Sequence, residues 1–291
     1  ALTFVGTVNA ISYLGSKPHF VDSNIKNFGI DCDKLEIYLK KISIVKNKKL
    51  YNKKTGNRIK AILPVHIFGH PCEIEKIIKL AKKYNLFVVE DAAEGLGSFY
   101  KKKHLGTFGD VGCISFNGNK IITTGGGGIV TTNNKRLAKK IRHLTTTAKI
   151  PHKWEYIHDE IGFNFRMPNI NAALGIAQLE KINVFLKAKR KILSIYSKVF
   201  EKIDGVELYK EPKFSKSNYW LQTLVLNKKN SKFKNIILKK LYQNNIYARP
   251  VWKLISELKP YKNCEKMNLS GAKDIYKRTI NLPSGQGLVL K

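Results

Sequence analysis

Short apolar runs alternate with amphipathic helical patterns from the start of the chain to Leu144, and this alternation limits the fold more than any other feature. Strands that alternate with helices predict an α/β sheet with crossover helices. Cys72–Tyr84 places its isoleucines on one helical face, and Asn133 or Asn134 can cap a helix that ends near Leu144. The apolar runs are bounded by turn residues, as is typical of buried strands; they are Pro18–Val21, Ala61–Phe68, Leu86–Glu90, Val111–Phe116 and Gly128–Thr132.

The pattern changes in the last third of the chain. Helical patterns cover Asn169–Ile182 and Asn183–Ile203. Beyond them, Tyr219–Leu226 and Ile246–Val251 are strand candidates on either side of a helix candidate, Ser231–Gln243. Pro250 predicts an edge position for the second strand, because proline cannot donate a ladder hydrogen bond. We therefore predict a large domain over residues 1–189 and a smaller α+β domain over residues 190–291.

The formal net charge is +32, which raises the question of a polyanionic partner. Only seven of the 53 basic residues are arginine, the residue on which base readout and phosphate forks depend most. Abundant Lys, Asn and Ile are also typical of a protein from an AT-rich genome, and the lysine-rich segment Lys46–Lys54 is interpreted as a solvated excursion. We predict no nucleic-acid partner, and a basic polyanion-binding protein remains an alternative.

The sequence predicts a cytoplasmic protein without a membrane span. No apolar run approaches the length of a membrane helix, and no basic-then-apolar signal segment opens the chain. The four cysteines are far apart and form no C-x-x-C pair, which favours reduced thiols over a disulfide framework or a zinc site.

Asp91 is the first candidate functional residue. It ends the apolar run in LFVVEDAAEGLG (Leu86–Gly97) and is followed by small residues. Ligands of open α/β sheets bind beyond the carboxyl ends of the strands, so Asp91 is placed where a ligand would lie. Its carboxylate could bind a metal, a ribose hydroxyl or a protonated ring nitrogen, or it could cap a strand-to-helix turn.

Lys120 is the second candidate. It lies five residues after Ser115 and just before the glycine run Gly125–Gly128. This run is not a P-loop, because it lacks the G-x-x-x-x-G-K-[ST] pattern and leads into a strand. The glycines predict either a flexible hairpin or close approach of backbone to a bound group. Lys120 is then either a nucleophilic amine or one more solvated charge.

Several ordered motifs together resemble the pyridoxal-phosphate aminotransferases of the DegT/StrS type. These motifs are TFVGTVNAISYLGSKPHFVD, ILPVHIFGHPCEIEKI, the Asp91-to-Lys120 order and GFNFRMPNINAALGIAQLEKI, and the resemblance runs from Leu2 to about Pro283. It implies an α/β fold of aminotransferase fold type I, in which a cofactor-binding large domain has a mixed, mostly parallel sheet. It also implies pyridoxal 5'-phosphate as cofactor and a nucleotide-linked keto sugar as substrate.

The resemblance implies a role for each of five residues. Lys120 would form a Schiff base with the cofactor aldehyde and carry the proton between substrate and cofactor. Asp91 would pair with the pyridine nitrogen, and Phe4 would lie against the ring face. Ser115 would bind the cofactor phosphate. Asn164 would reach the phosphate of a neighbouring subunit's cofactor, so a homodimer with shared active sites is implied.

Other residues keep open roles. Glu94 stands where many members of the family carry Gln or His beside the cofactor ring, so it is a cofactor-binding candidate. Arg166 and Arg249 could bind substrate phosphate or carboxylate, or form ion pairs. A zinc site formed by His66, His70 and Glu73 is disfavoured, because the histidines lie at a strand end and not on one helix face.

Within the family, ISFNGNKIITTGGGGIVTT and HLTTTAKIPHKWEYIHDEIGFNFRMPNINAAL resemble the branch that serves legionaminic acid and bacillosamine pathways. That branch implies amino transfer from glutamate to C4 of a nucleotide-linked 4-keto-6-deoxy-N-acetylhexosamine. The nucleotide, UDP or GDP, and the C4 stereochemistry stay open. A dehydratase of the same fold is disfavoured, because those relatives carry histidine in place of Lys120.

We expect that the N-terminal part of the protein is missing from this chain. Members of the family carry a first helix and an S-G-T phosphate-binding turn upstream of the position of Ala1. This expectation leaves a truncated, inactive pseudoenzyme of the same fold as a further alternative.

Overall fold

A computed structural model describes residues 1–213 and 215–290. The strands are short and fall into several sheets. In chain order they are β1 (Ser43–Lys46), β2 (Lys49–Asn52), β3 (Arg58–Ile59), β4 (Ala61–Ile62), β5 (Phe87–Asp91), β6 (Phe99–Tyr100), β7 (Lys103–His104), β8 (Val111–Ser115), β9 (Gly128–Thr131), β10 (Lys149–Ile150), β11 (Ile157–His158), β12 (Val206–Leu208), β13 (Ser215–Lys216), β14 (Gln222–Leu226), β15 (Arg249–Pro250) and β16 (Thr279–Leu282).

Helices connect and cover these strands. Two of them begin at side-chain caps: Asp31 accepts a hydrogen bond from the Lys34 backbone, and Asn134 accepts from Arg136 and Leu137, which confirms the predicted cap. The α-helices are α1 (Val5–Tyr13), α2 (Cys32–Ile42), α3 (Ile74–Tyr84), α4 (Lys135–Thr145), α5 (Asn169–Glu180), α6 (Ile182–Phe200), α7 (Lys234–Gln243) and α8 (Ser270–Arg278).

The sheet that positions the candidate site has the order β4-β5-β8-β9. Strands β4, β5 and β8 run parallel, and β9 returns antiparallel beside β8. The sheet is therefore mixed and mostly parallel, and the predicted α/β fold is confirmed. Asp91 pairs with Cys113 across β5 and β8, so the carboxyl ends of both strands open at the same edge.

The later part of the chain forms an antiparallel sheet of order β12-β14-β16-β15. Strand β15, which contains Pro250, lies at the edge of this sheet as predicted. The boundary between residues 189 and 190 lies inside α6, and one apolar cluster joins Phe68 and Ile121 to Trp220 and Leu254. The division into two domains stays a prediction.

Three sequence-based expectations differ from the structure. Pro18–Val21 forms only a single bridge, between Phe20 and Lys266. Within Ala61–Phe68, strand β4 ends at Ile62, because Pro64 has no N–H for the ladder. The Lys46–Lys54 segment forms a hairpin of β1 and β2, whose turn has Asn47 and Lys48 at positive φ. Its exposed lysines interrupt the alternation of apolar and polar residues that would have predicted the two strands.

Within residues 1–213 and 215–290, no helix combines the length and the apolar character needed to cross a bilayer.

Candidate active site

Lys120 follows β8 in a tight turn whose position is fixed by the next two residues. Ile121 and Ile122 are buried in the main apolar cluster, and the Lys120 N–H donates to the Asn117 carbonyl at 3.0 Å. The Lys120 side chain is 13% exposed, and its Nζ lies 3.5 Å from Oε1 of Glu94. The amine is therefore mostly desolvated and faces a carboxyl group.

Asp91 lies at the carboxyl end of β5 with both oxygens held. Its Oδ1 accepts from the Ala93 N–H at 3.0 Å, and its Oδ2 accepts from the Thr7 hydroxyl at 2.6 Å. The Thr7 hydroxyl lies 2.9 Å from that of Thr3. Thr7 of α1, supported by the Thr3 hydroxyl just before the helix, thus fixes the direction of this carboxylate.

Glu94 faces both Lys120 and the start of a buried turn. Its Oε2 accepts from the Phe68 N–H at 2.7 Å, and the side chain is buried. Burial raises the pKa of Glu94 from 4.5 to about 7; the charge of Lys120 opposes this shift, and the charge of Asp91 adds to it. Lys120 and Asp91 therefore both lie close enough to affect the pKa of Glu94. Asp91 is at the carboxyl end of β5, the edge of the sheet where ligands bind in this fold class.

Phe4 and Ser115, two further candidates, are partly accessible to solvent. Phe4 precedes α1, is 56% exposed, and has its ring 6.4 Å from the ring of Trp252. Ser115 ends β8, and its hydroxyl accepts from the Asn117 N–H at 3.2 Å. Neither side chain bonds to Lys120 or Asp91 in the described residues. An exposed ring and a hydroxyl near the strand ends are both open to a ligand.

Asn164, Arg166 and Arg249 are exposed and stand apart from the lysine and the carboxylates. Asn164 forms a backbone bridge with Thr146, and Arg249 pairs with Asn281 in the second sheet. No ion pair in the described part of the chain holds either arginine. A role for these three residues depends on a ligand or a second subunit.

The three residues of the zinc alternative have separate partners. His66 Nε2 lies 3.0 Å from Oε2 of Glu90, and His70 Nδ1 lies 2.9 Å from the Ser217 hydroxyl. Glu73 pairs with Lys76 on α3 at 2.7 Å. Both histidine rings are buried, and burial lowers the pKa of His70 to about 3. These side chains do not converge on one point, as a shared metal would require.

Sequence reasoning missed the contribution of residues 218–220. Nδ2 of Asn218 donates to the Glu94 carbonyl at 2.7 Å, and the Trp220 indole lies over the Lys120 amine. It also missed Thr7, whose hydroxyl binds Asp91 across 84 positions. No local pattern marks such contacts, because they join segments far apart in the sequence.

Comparison with known proteins identifies the family. The profile of the DegT/DnrJ/EryC1/StrS aminotransferase family matches residues 1–291. GDP-perosamine synthase from Escherichia coli O157:H7 is 39% identical over 285 residues, which cover 97% of this chain and 72% of that protein. A UDP-4-amino-4,6-dideoxy-N-acetyl-beta-L-altrosamine transaminase from Campylobacter jejuni is 35% identical over 293 residues, covering 100% of this chain and 74% of that protein.

A solved structure supports the same family assignment. Helicobacter pylori PseC, an aminotransferase involved in the biosynthesis of pseudoaminic acid, superimposes with a TM-score of 0.87 at 29% identity, covering 99% of this chain and 74% of that one. Pyridoxal phosphate is the cofactor of this family. The residues present fit this cofactor. A desolvated lysine amine can bond to its aldehyde, and an aspartate held at both oxygens can pair with its ring nitrogen. The chain belongs to the DegT/DnrJ/EryC1/StrS family and is a pyridoxal-phosphate-dependent sugar-nucleotide aminotransferase.

Proposed function

We propose that this protein moves an amino group from glutamate to C4 of a nucleotide-linked 4-keto-6-deoxy-N-acetylhexosamine, with Lys120 as its catalytic residue. The observation that carries the proposal is the desolvated Lys120 amine, 3.5 Å from Glu94, whose carboxyl also responds to the charge of Asp91. An amine in this setting can both bond to an aldehyde and carry a proton.

The proposal gives each residue of the site a role. When bound, pyridoxal phosphate supplies an aldehyde that bonds to amines and a ring that accepts electrons. Lys120 Nζ would bond to that aldehyde and later move the proton at the substrate carbon. Asp91 would hold the proton on the ring nitrogen, and Phe4 would cover the ring face. Ser115 would donate to the phosphate, and Glu94 would lie beside the ring.

The names of relatives support the substrate class. The Campylobacter protein is named for a 4-amino-4,6-dideoxy-N-acetyl sugar on UDP, and the Escherichia protein for a GDP sugar. Together they support amino transfer to a deoxy sugar and leave the nucleotide as the variable part. Placement in a legionaminic acid or bacillosamine pathway rests on sequence resemblance. Turnover of a nucleotide-linked 4-keto-6-deoxy sugar that carries an N-acetyl group, but not of one that lacks it, would support this branch, and the reverse preference would exclude it.

We also propose a homodimer in which Asn164 completes the partner's site. Asn164 lies in a stretch of exposed apolar side chains that includes Ile161 and Phe165. Such a surface is typical of a protein interface.

All four cysteines are free thiols, which supports the cytoplasm as the place of this reaction.

The test of the proposed function is the substitution Lys120→Ala. We expect wild type with added pyridoxal phosphate to gain the visible absorption of bonded cofactor, and borohydride to fix the cofactor on the peptide that contains residue 120. Lys120→Ala should lose both, along with more than about 1,000-fold of the amino-transfer rate. Lys79→Ala, on the exposed side of α3, is the matched control.

Two outcomes would count against the proposal. Cofactor fixed to another lysine in both proteins would exclude Lys120 as the catalytic amine. Cofactor fixed to Lys120 without any amino transfer would favour the inactive pseudoenzyme.

A further inference from the structure

Trp220 touches the amine of Lys120 although 100 positions separate the two residues. The Lys120 Nζ lies 3.9 Å from the centroid of the Trp220 ring. The indole is buried, and the amine has Glu94 as its other neighbour. A lysine ammonium over an indole face is attracted by the negative charge of the ring face, and the attraction is larger where water is excluded.

The indole is held rigidly, in contrast to the flexible lysine. Its Nε1 donates to the carbonyl of Asn119, the residue that precedes Lys120, at 2.7 Å. The Trp220 N–H donates to Asn218 at 2.8 Å, and the Trp220 carbonyl accepts from the buried amine of Lys189 at 3.0 Å. The ring is therefore fixed both to the backbone of the Lys120 turn and to helix α6.

This arrangement meets a requirement of the proposed function. A lysine that bonds to a cofactor aldehyde is released each time a substrate amine takes its place, and a free lysine side chain has many rotamers to lose on return. A fixed ring face on one side and the Glu94 carboxyl on the other limit these rotamers. The amine then stays beside the site in the intervals when it is not bonded.

We propose that Trp220 is a positioning residue whose indole face holds the free amine of Lys120 beside Glu94. The role of this contact in catalysis rests on the proposed function. The contact itself belongs to the cofactor-free chain, so it can be tested without cofactor or turnover.

The experiment measures acetylation of Lys120 in the cofactor-free protein, by mass spectrometry of its peptide, with exposed Lys79 as the internal reference. In Trp220→Leu the ring face is lost, and we expect the relative acetylation rate of Lys120 to rise about fivefold or more. In Trp220→Phe a ring face remains while the Nε1 bond to Asn119 is lost, and the rate should stay within about twofold of wild type.

An unchanged rate in Trp220→Leu would overturn the proposal, and so would a Phe variant that behaves like the Leu variant. If Trp220→Leu does not fold, a second measurement uses Lys120→Met in a Trp154→Phe, Trp252→Phe background. Removal of the ammonium should change the emission of the remaining Trp220, and identical emission would equally overturn the proposal. Both readouts are independent of whether Lys120 binds cofactor, which Lys120→Ala tests separately.

Discussion

Glu94 is subject to opposing effects that leave its carboxyl close to half protonated at neutral pH. Burial raises its pKa to about 7 against the charge of Lys120 and the Phe68 N–H, and the charge of Asp91 adds to the effect of burial. A carboxyl of this kind can exchange a proton with a neighbour at the pH of a cell. Position 94 is thus occupied by a group that titrates near neutral pH.

The raised pKa of Glu94 predicts that folding stability falls as the pH rises. The folded chain keeps a proton that the unfolded chain releases above its ordinary pKa of 4.5. This contribution is complete below that pKa and is lost as the pH rises through about 7. From about pH 5 to about pH 8, cofactor-free wild type should lose about 2 to 3 kcal/mol relative to Glu94→Gln, measured by urea unfolding. A difference between the two proteins that is constant with pH would contradict this.

At the scale of single residues, the end of a strand made Asp91 predictable as a ligand-binding candidate. Asp91 ends an apolar run, so the order of residues alone places it at the ligand edge of a parallel sheet. The role of Lys120 comes from the resemblance to the family, because the local pattern is equally compatible with a solvated charge. Thr7 and Trp220 could not be predicted in this way, since their contacts with Asp91 and Lys120 depend on how α1 and the segment before β14 pack. No local sequence pattern predicts such packing.

Among the elements, β8 is the strand that leads to Lys120, and it packs closely against a neighbouring turn. Its Gly112 lies against the turn at Gly106, where an added Cβ would come 2.0 Å from the Gly106 carbonyl oxygen. That turn is itself held by Glu90, whose carboxylate accepts from the N–H groups of Gly106, Phe108 and Gly109. The turn cannot move away from Gly112 without breaking its bonds to this buried carboxylate.

Substitution Gly112→Ala should therefore destabilise the protein by about 3 kcal/mol, because the methyl group meets backbone atoms that cannot yield. Thermal unfolding of the cofactor-free chain measures the loss. The matched control is Gly118→Ala in the turn before Lys120, where an added Cβ meets nothing within 4 Å. Equal melting temperatures for the two variants would show that β8 and the Gly106 turn are not tightly coupled.

The elements that the sequence analysis predicted carry clear local signals, and helix α1, which it missed, lacks them. Helices α3 and α4 were predicted from an apolar face and a cap, and β15 from its proline. Helix α1 has no side-chain cap at Phe4 and no regular apolar face, because only Val8 of its residues is buried. Tertiary packing, which brings Thr7 to Asp91, determines that element.

At the scale of the molecule, the segment from Ile150 to Leu179 carries many exposed apolar side chains. Helix α4 buries no residue, and α5 buries only Gly175. Between these helices, Ile161 is 93% exposed, and Phe165 close to Asn164 is also exposed. The exposed large apolar residues of this region are Ile150, Trp154, Tyr156, Ile157, Ile161, Phe163, Phe165, Ile170, Leu174, Ile176 and Leu179. A second copy of the chain would remove this surface from water.

The homodimer is tested by placing a charge within this surface. Ile161→Asp should weaken self-association at least about tenfold, which corresponds to about 1.4 kcal/mol, because the interface would then bury an unpaired carboxylate. Sedimentation of wild type and variant over a range of concentrations measures the effect. Ile37→Asp is the control, since Ile37 is an exposed apolar residue on α2, outside the region.

If the active site is shared, Ile161→Asp should also lower cofactor affinity at concentrations where wild type is dimeric. A wild type that sediments as a monomer at every concentration would exclude both the dimer and a role for Asn164 in a partner's site.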